Sequence, residues 1–523
     1  MPDTGLGFFR PAVAKGSQAP CQARGDGVGV LTHTAAILDF AAAPHALPPA
    51  VRADALRLLA DTLAVMAAGA ASDEAVRVRT ALSPDSAQPE LVEGPSFSSA
   101  TADRKNSPST SSGQAVPGME MGATAFHTGF AIHCLEWDAV HEGAVVHALS
   151  VVTAALLASS QRMGGCDAEE FLSALAVGVD IASGLGLAAI GPMRFFRPAT
   201  AGVIGAAMAV ARFEGLTRAQ MADVLGLAYS FAGGTMQAHV EASIALPLQI
   251  GRAAQAAVQV VDLTRAGLNG PHDALEGPFG YAALIEPLDL ARYTATLSQQ
   301  WRISEVSIKP YPSGRASHGA LGALQAILPI RMDGEGDHAK HGGGVSTVAK
   351  TTPPPSLRNG PAPQALPGEN RLAAIAAIDL HAPPLIARLV GRPYQPDMTP
   401  AYARLCLAFL APLMLRDGVI DPRAFMPATF ADPAIARLAA KVRVHEDGCG
   451  NGNAMVPQRL VVTLDDGTTL ERGIPATLGS PDAPMDPATA ASKYALCRAL
   501  AGDVDPRIFD DPLGYVTSPL SSP

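Results

Sequence analysis

Cys134 aside, six ionisable side chains fall within fifteen residues of this chain: His133, Glu136, Asp138, His141, Glu142 and His147, in the stretch HCLEWDAVHEGAVVH. An imidazole beside a carboxylate is a common means of moving protons near neutral pH, the acid fixing the ring and the ring carrying the proton. His141 and His147 are six apart, so one continuous helix would not turn both to the same face. The spacing is not the HExxH of a zinc protease. Gly143 within the stretch points to a loop joining two helices, where acid and base groups can converge on a cavity. A set of solvated or helix-capping polar groups is the other reading, and spacing alone leaves both open.

A second cluster, SIKPYPSGRASHGALGAL, places Lys309, Arg315 and His318 within ten residues, on a Pro- and Gly-interrupted stretch ahead of a helix. Two fixed cations and a histidine near a helix start suit carboxylate binding; an ordinary basic loop is the alternative. His338 and His341 form a third, metal-like pair. Their Gly- and Pro-rich surroundings offer ligands no fixed geometry, which makes a solvated linker the better reading.

The elements that must hold these clusters are mostly helices. Leu56, Leu59, Leu63 and Met66 recur at steps of three and four, marking one apolar helix face. Asp167 with Glu170 and Thr217 with Gln220 form capping-box patterns ahead of Phe171 and Met221. Short Gly-containing breaks between such starts predict a bundle of connected helices. The apolar stretch Phe171–Gly191 carries Asp180 near its middle, which favours a buried core helix over a membrane span. Beyond Lys309 the texture changes. Lys441–Val444 and QRLVVTL alternate, and Asp465-Asp466-Gly467 signals a hairpin, so a smaller α+β part is expected. A last helix is expected from Asp486-Pro487, with Asp as cap and Pro in the first turn. Residues 1–30 read as a loose arm, and the stretches 83–118 and 331–369, rich in Ser, Pro and Gly, as surface insertions.

At 523 residues the chain exceeds one minimal core. Nearly half of it is apolar and only 16% charged, with Ala and Gly abundant, which favours helices packed closely through small side chains. The net charge of −10 argues against a general nucleic-acid surface but not against a local cationic pocket. The six cysteines are scattered without a CxxC pair, which speaks against a disulfide framework or a zinc site. The start MPDTGLGFFRPAVAKG is a poor secretory signal, so a cytoplasmic protein is expected.

At the two clusters the chain resembles the MmgE/PrpD family, which includes 2-methylcitrate dehydratases, cis-aconitate decarboxylases and an iminodisuccinate epimerase. The family pattern H-x-L-[DE]-[FWY]-D-D-T-H-x5-H-P reads from His133 to His147 with the right spacing, and K-P-[YF]-P-x5-H is matched by Lys309, Pro310, Tyr311, Pro312 and His318. VRADALRLLADTLAVMAAG, RPATAGVIGAA, ASIALPLQIGRAAQAA, LEGPFGYAAL and LDDGTTLERGIPATLGSPDAPM agree in the same order. The resemblance implies a mainly α fold: a large, discontinuous all-helical domain (31–306, rejoined by 475–523) and a smaller α+β lid domain (307–474). It implies a homodimer with the two clusters facing each other across a cleft, and no cofactor or metal.

On that reading the protein is a lyase of the dehydratase type on a small di- or tricarboxylate, resembling 2-methylcitrate dehydratase. Building negative charge beside a carboxylate calls for an acid/base group and fixed cations. Asp138, His141, His147, Lys309 and His318 are the expected catalytic side chains, with Glu136, Arg197 and Arg315 binding substrate. The chain departs from the pattern at Ala139, Val140 and Ala148, at Leu246, where the family often has lysine, and at Arg197 in Phe196-Arg197-Pro198, where it has histidine. Cys406 and Phe409 stand where a Ser and a Tyr are common, and His239 and Glu241 neighbour Leu246. These changes keep open a decarboxylase or epimerase, and a binding protein on the same fold. A metal-dependent hydrolase is a weaker rival, because the histidines lack a standard ligand spacing.

Overall fold

The computed structural model describes residues 32–82, 117–327 and 372–518. The arm, the 331–369 stretch with His338 and His341, and the 83–118 stretch lie outside the described residues, except that Pro117 and Gly118 open a helix.

The first and larger core is built from helices: α1 (His33–Ala42), α2 (Pro49–Ala70), α3 (Asp73–Leu82), α4 (Pro117–His133), α5 (Ala148–Met163), α6 (Ala168–Ala188), α7 (Arg197–Phe213), α8 (Arg218–Phe231), α9 (Gln237–Val240) and α10 (Ala245–Arg265). Leu59, Leu63 and Met66 on α2 are buried, as the spacing predicts, whereas Leu56 is only half-buried and Leu58 is buried instead. Thr217 and Gln220 close a reciprocal capping box on α8, and Asp167 accepts from the amides of Glu169 and Glu170 at the start of α6.

Small residues set the packing. At the crossing of α6 and α7, a Cβ on Gly205 would lie 2.3 Å from the Gly178 carbonyl oxygen, so any side chain there would force the helices apart. Helix α6 has the length and apolarity of a membrane span, yet 94% of its apolar window is buried inside the protein. Its Asp180 accepts from the Tyr293 hydroxyl and the Arg302 amide, both at 2.9 Å, which satisfies a carboxyl that burial pushes up to about 6.

The second core surrounds a four-stranded mixed sheet in the order β2-β1-β3-β4, from β1 (Ile375–Ala382), β2 (Val442–Glu446), β3 (Gln458–Leu464) and β4 (Thr469–Ile474). β1 and β2 run parallel; β1 with β3, and β3 with β4, are antiparallel. Asp465-Asp466-Gly467 forms the β3–β4 turn, with Gly467 at φ 84°. Helices α11 (His318–Ile327), α12 (Pro384–Val390), α13 (Leu407–Asp417) and α14 (Pro433–Ala439) complete this core.

Helix α15 (Pro487–Ala501), capped by Asp486, packs on α2. Ala501, Ile508 and Val516 belong to the first core. A buried ion pair fixes this return: Lys493 Nζ lies 2.5 Å from Asp61 Oδ1. The described structure is therefore mainly helical, with one small α+β part.

Candidate active site

Helix α4 ends at His133, and the chain turns through Glu136, whose φ of 54° is left-handed. From there it runs past Asp138 to Val140, which pairs with Ser307 through two backbone hydrogen bonds of 3.0 and 2.9 Å. That exchange joins the histidine-rich loop to the segment carrying Lys309. The Trp137 indole N–H donates to the Pro310 carbonyl at 3.2 Å, fastening the same pair of segments. On its other side Ile308 donates to the Gly479 carbonyl. Gly479 has φ 90°, and a Cβ there would lie 2.0 Å from the Ile308 oxygen, so this close approach requires glycine. The loop returns by a tight His141–Val146 pairing, with Val145 at φ 50°, and His147 begins α5. A β-branched residue in the left-handed region is strained, and strain of this kind gathers where surrounding structure holds a site in shape.

Asp138 is the hub. Its carboxylate lies 3.0 Å from His133 Nδ1 and 3.0 Å from His147 Nδ1, and it accepts from the Ser150 hydroxyl. The two imidazoles meet edge to face with centroids 4.8 Å apart. Lys309 Nζ donates to the Glu136 carbonyl at 2.9 Å and to Glu136 Oε2 at 3.1 Å, and lies 3.8 Å from Asp138 Oδ1. Glu136 Oε1 in turn stands 3.2 Å from His133 Nε2. Two carboxylates and two cations are thus interleaved with almost no exposure.

Their electrostatics separate the two histidines. Burial works against a charge on His133, but Asp138 and Glu136 outweigh it and raise its pKa to about 10. For His147, burial prevails over the attraction of Asp138, with Lys309 acting in the same sense, and the pKa is lowered. Its place at the amino end of α5 also disfavours positive charge there. Burial would raise both acids, but Lys309 and His133 hold Glu136 well below the ordinary range, and His133, His147 and Lys309 do the same for Asp138. The two rings on one carboxylate are thus shifted in opposite directions, His133 towards holding its proton and His147 towards losing it, as an acid and a base side by side require.

His133, Glu136 and His147 open onto a cavity of about 60 Å³ whose other walls come from both cores, including Phe196, Leu246, Arg315 and Met455. Met455 also borders a broad cleft of about 1160 Å³ lined by Glu142, Arg292, Arg388 and Asn451. His133, Asp138 and His147 place three possible ligand atoms within 4.8 Å of one another. A divalent cation there would have to strip the proton from His133 and share Asp138 with the Lys309 ammonium, so the donor set suits proton transfer better than metal binding.

Of the residues singled out from the sequence, Glu136, Asp138, His147 and Lys309 come together. Arg315 borders the cavity, but its Nε and Nη2 donate to Glu142 at 2.9 and 2.6 Å, and its remaining reach goes to the Leu478 and Thr477 carbonyls. His141 turns away: Nε2 lies 3.0 Å from Glu305, and Nδ1 accepts from the Ala144 amide. His318 is fully buried against Ser313, its pKa held well below the usual value by burial and Arg315. Arg197 pairs with Glu286, Nε to Oε2 at 2.9 Å, and donates to the Ala144 carbonyl. Phe409 packs against Phe425 and Phe430 in the second core. Burial pushes the Cys406 thiol up to about 11. Spacing gave His133 no separate task, although its place five residues before Asp138 was the available signal. Nothing in the local pattern marked Met193, Met236 or Met455 as walls of the cavity.

Residues 39–291 match the MmgE/PrpD N-terminal domain and residues 365–506 the MmgE/PrpD C-terminal domain, together well over half of the chain. Cis-aconitate decarboxylase of Homo sapiens is 26% identical over 358 residues, 66% of this chain and 66% of the relative. The Mus musculus cis-aconitate decarboxylase is 26% identical over 359 residues, 66% of this chain and 65% of the relative. The matches span just under two thirds of the length of these relatives. By both of its domains, this chain is a member of the MmgE/PrpD family.

Proposed function

We propose that the protein is a lyase that eliminates water from a small di- or tricarboxylate by proton transfer next to a carboxylate. The observation that carries this reading is the pair of imidazoles each 3.0 Å from Asp138, with the His133 pKa raised and the His147 pKa lowered. His147, with Nδ1 turned to Asp138, presents Nε2 as the base that removes the proton beside the carboxylate. Negative charge then builds on that carboxylate as an enolate, and the positive charges of His133 and Lys309 offset it. The electron pair moves on to form the alkene, and the departing hydroxide leaves as water with a proton from the His133 imidazolium. Glu136 and Asp138 hold the two cations in place.

The second reading is decarboxylation, favoured by the activity named for both relatives. There the alkene is the substrate, carbon dioxide leaves, and the imidazolium returns a proton to carbon. Neither route needs a resident cofactor. A cytoplasmic homodimer is part of the same proposal.

Purified protein incubated in deuterated water with 2-methylcitrate, citrate, cis-aconitate and substituted succinates, with and without a chelator, tests this. Deuterium uptake or alkene formation that survives chelation is expected. Activity abolished by the chelator would replace proton chemistry with metal chemistry. Silence on every compound together with ligand-induced thermal shifts would make the chain a binding protein.

A further inference from the structure

The cavity beside His133 and His147 has a wall that the proton chemistry does not use. Met193, Phe196, Met236, His239 and Leu246 form it. Met193, Phe196, His239 and Leu246 are each less than a tenth exposed, and Met236 packs against both cores. Leu246, in the first turn of α10, also borders the adjoining depression beside His133 and Glu136. Its side chain therefore faces the space next to the acid/base pair from two sides.

A carboxylate arm placed against this wall would lose its hydration and would need a cation to replace it. Among the described residues, the cations bordering the cavity are His133 and Arg315. His133 is held between Asp138 and Glu136, and Arg315 by Glu142 and two carbonyls. Lys309, behind them, is engaged by Glu136 and Asp138. Arg392 lies beyond His239: it donates to the His239 carbonyl at 3.0 Å, sits over the Tyr402 ring and borders a different depression. Burial and Arg392 push His239 down to about 4, so at neutral pH the wall is uncharged. Three cations near the cavity, His133, Lys309 and Arg315, face three carboxylates, Glu136, Asp138 and Glu142, while Arg404 at the adjoining depression turns to Glu74 and the Cys134 carbonyl and Arg388 lines the broad cleft, so the Leu246 wall itself carries no cation.

We infer that the site takes a small carboxylate with a hydrocarbon arm packed on the Leu246 wall, an alkyl-substituted dicarboxylate in preference to a tricarboxylate. The inference rests on the carboxylate lyase reading and narrows its substrate. A methyl or ethyl group buries apolar surface against Leu246, Met193 and Phe196 at no cost in charge. A carboxylate in its place would have to pull Arg315 from Glu142 or Lys309 from Glu136, leaving a buried acid unpaired.

A matched pair of ligands tests this. Cis-aconitate and ethylmaleate share a cis alkene with two carboxylates and differ in one arm, CH2COO− against CH2CH3. Titration calorimetry on the full chain is expected to show ethylmaleate binding at least about tenfold tighter. Methylmaleate, one methylene shorter, should bind about fourfold more weakly than ethylmaleate. Leu246→Lys, which adds an ammonium to the wall, should reverse the order of cis-aconitate and ethylmaleate, while Leu246→Met should keep it. Should the lysine variant fail to fold, the wild-type ranking decides alone. Cis-aconitate binding as tightly as ethylmaleate, or an unchanged order in a folded lysine variant, overturns the inference and leaves the lyase reading standing. If none of the three binds at millimolar concentration, while other carboxylates do show deuterium uptake, the inference alone falls; without that uptake both fall.

Discussion

Asp138→Asn removes the one carboxylate that stands 3.0 Å from both imidazoles while keeping its shape. In the native protein His133 is raised from 6.5 to about 10, against the pull of burial, by Asp138 first and Glu136 second. That separation corresponds to about 5 kcal/mol favouring the imidazolium. Asp138 supplies the larger part, so the amide should give up roughly 2–3 kcal/mol of it and bring His133 down to about 8. The linkage has a definite sign. A pKa raised on folding adds stability that is fully present below the unfolded value of 6.5 and is lost as pH rises through about 10. The variant should therefore be destabilised by that amount up to about pH 8, with the gap from wild type closing between about pH 8 and 10. The rate should suffer more than the fold. Without the carboxylate 3.0 Å from Nδ1 the His147 ring loses the charge that would stabilise it on taking up a proton, a change on the order of 10²–10⁴ in kcat in comparable acid–imidazole pairs. Nitrogen-edited NMR of the histidine rings, melting temperature against pH and deuterium exchange into substrate measure the three effects. An unchanged midpoint for His133, or an exchange rate within tenfold of wild type, would refute the assignment of Asp138 as the hub.

His147→Ala should lose at least about a hundredfold in turnover with little change in melting temperature, since the ring's neighbour Asp138 keeps His133, Lys309 and Ser150; near-normal turnover would place the base elsewhere. Lys309→Ala should abolish turnover and also cost about 3–5 kcal/mol of stability, because Glu136 and Asp138 lose a buried counter-charge. Unfolding by urea reads that cost, and a loss under 1 kcal/mol would contradict the pairing. Because burial lowers His147 from 6.5, activity should persist on the acid side below pH 6.5, and it should fall at the alkaline end near pH 10 as His133 loses its proton; a rate-pH profile with an acid limb above 6.5 would assign the base to another group. Lys493→Met alone should destabilise by about 3–5 kcal/mol through the stranded Asp61, and Lys493→Met with Asp61→Leu should recover most of that.

Helical texture, the caps at Asp167, Thr217 and Asp486, and the β3–β4 turn were legible because each rests on local periodicity or local hydrogen bonding. The acid/base cluster was half legible. Proximity in sequence gathers His133, Glu136, Asp138 and His147, but six histidine-loop side chains cannot all face one cavity, and the choice among them is made by the turn at Glu136 and the Val140–Ser307 pairing. His141 loses its place to the Glu305 contact, which comes from 164 residues away. Arg197 and His318 carry the right chemistry at plausible positions, yet long-range partners, Glu286 for one and burial beside Ser313 for the other, take them out of reach. The apolar wall was invisible because Met193, Met236 and Met455 come from three unrelated segments.

The departures from the family pattern can now be sorted by what they touch. Ala139 is buried, and Val140 meets Ser307 through its backbone, a pairing that no particular side chain supplies. Ala148 follows His147 into α5 without altering its Nδ1 contact to Asp138. None of these three changes removes a member of the proton-handling set, in which His133, Glu136, Asp138, His147 and Lys309 all match the pattern. Leu246 is different, since its side chain borders the cavity and brings no charge to a wall that has none. Arg197 does not replace the missing cation, because Glu286 holds its guanidinium. A chain that had lost catalysis would be expected to scatter changes through the charged hub, where each unpaired group is costly and without use. Here the five hub side chains keep their mutual contacts and Leu246 stands on the cavity wall, which fits the proposed lyase and the narrowed substrate inferred for it.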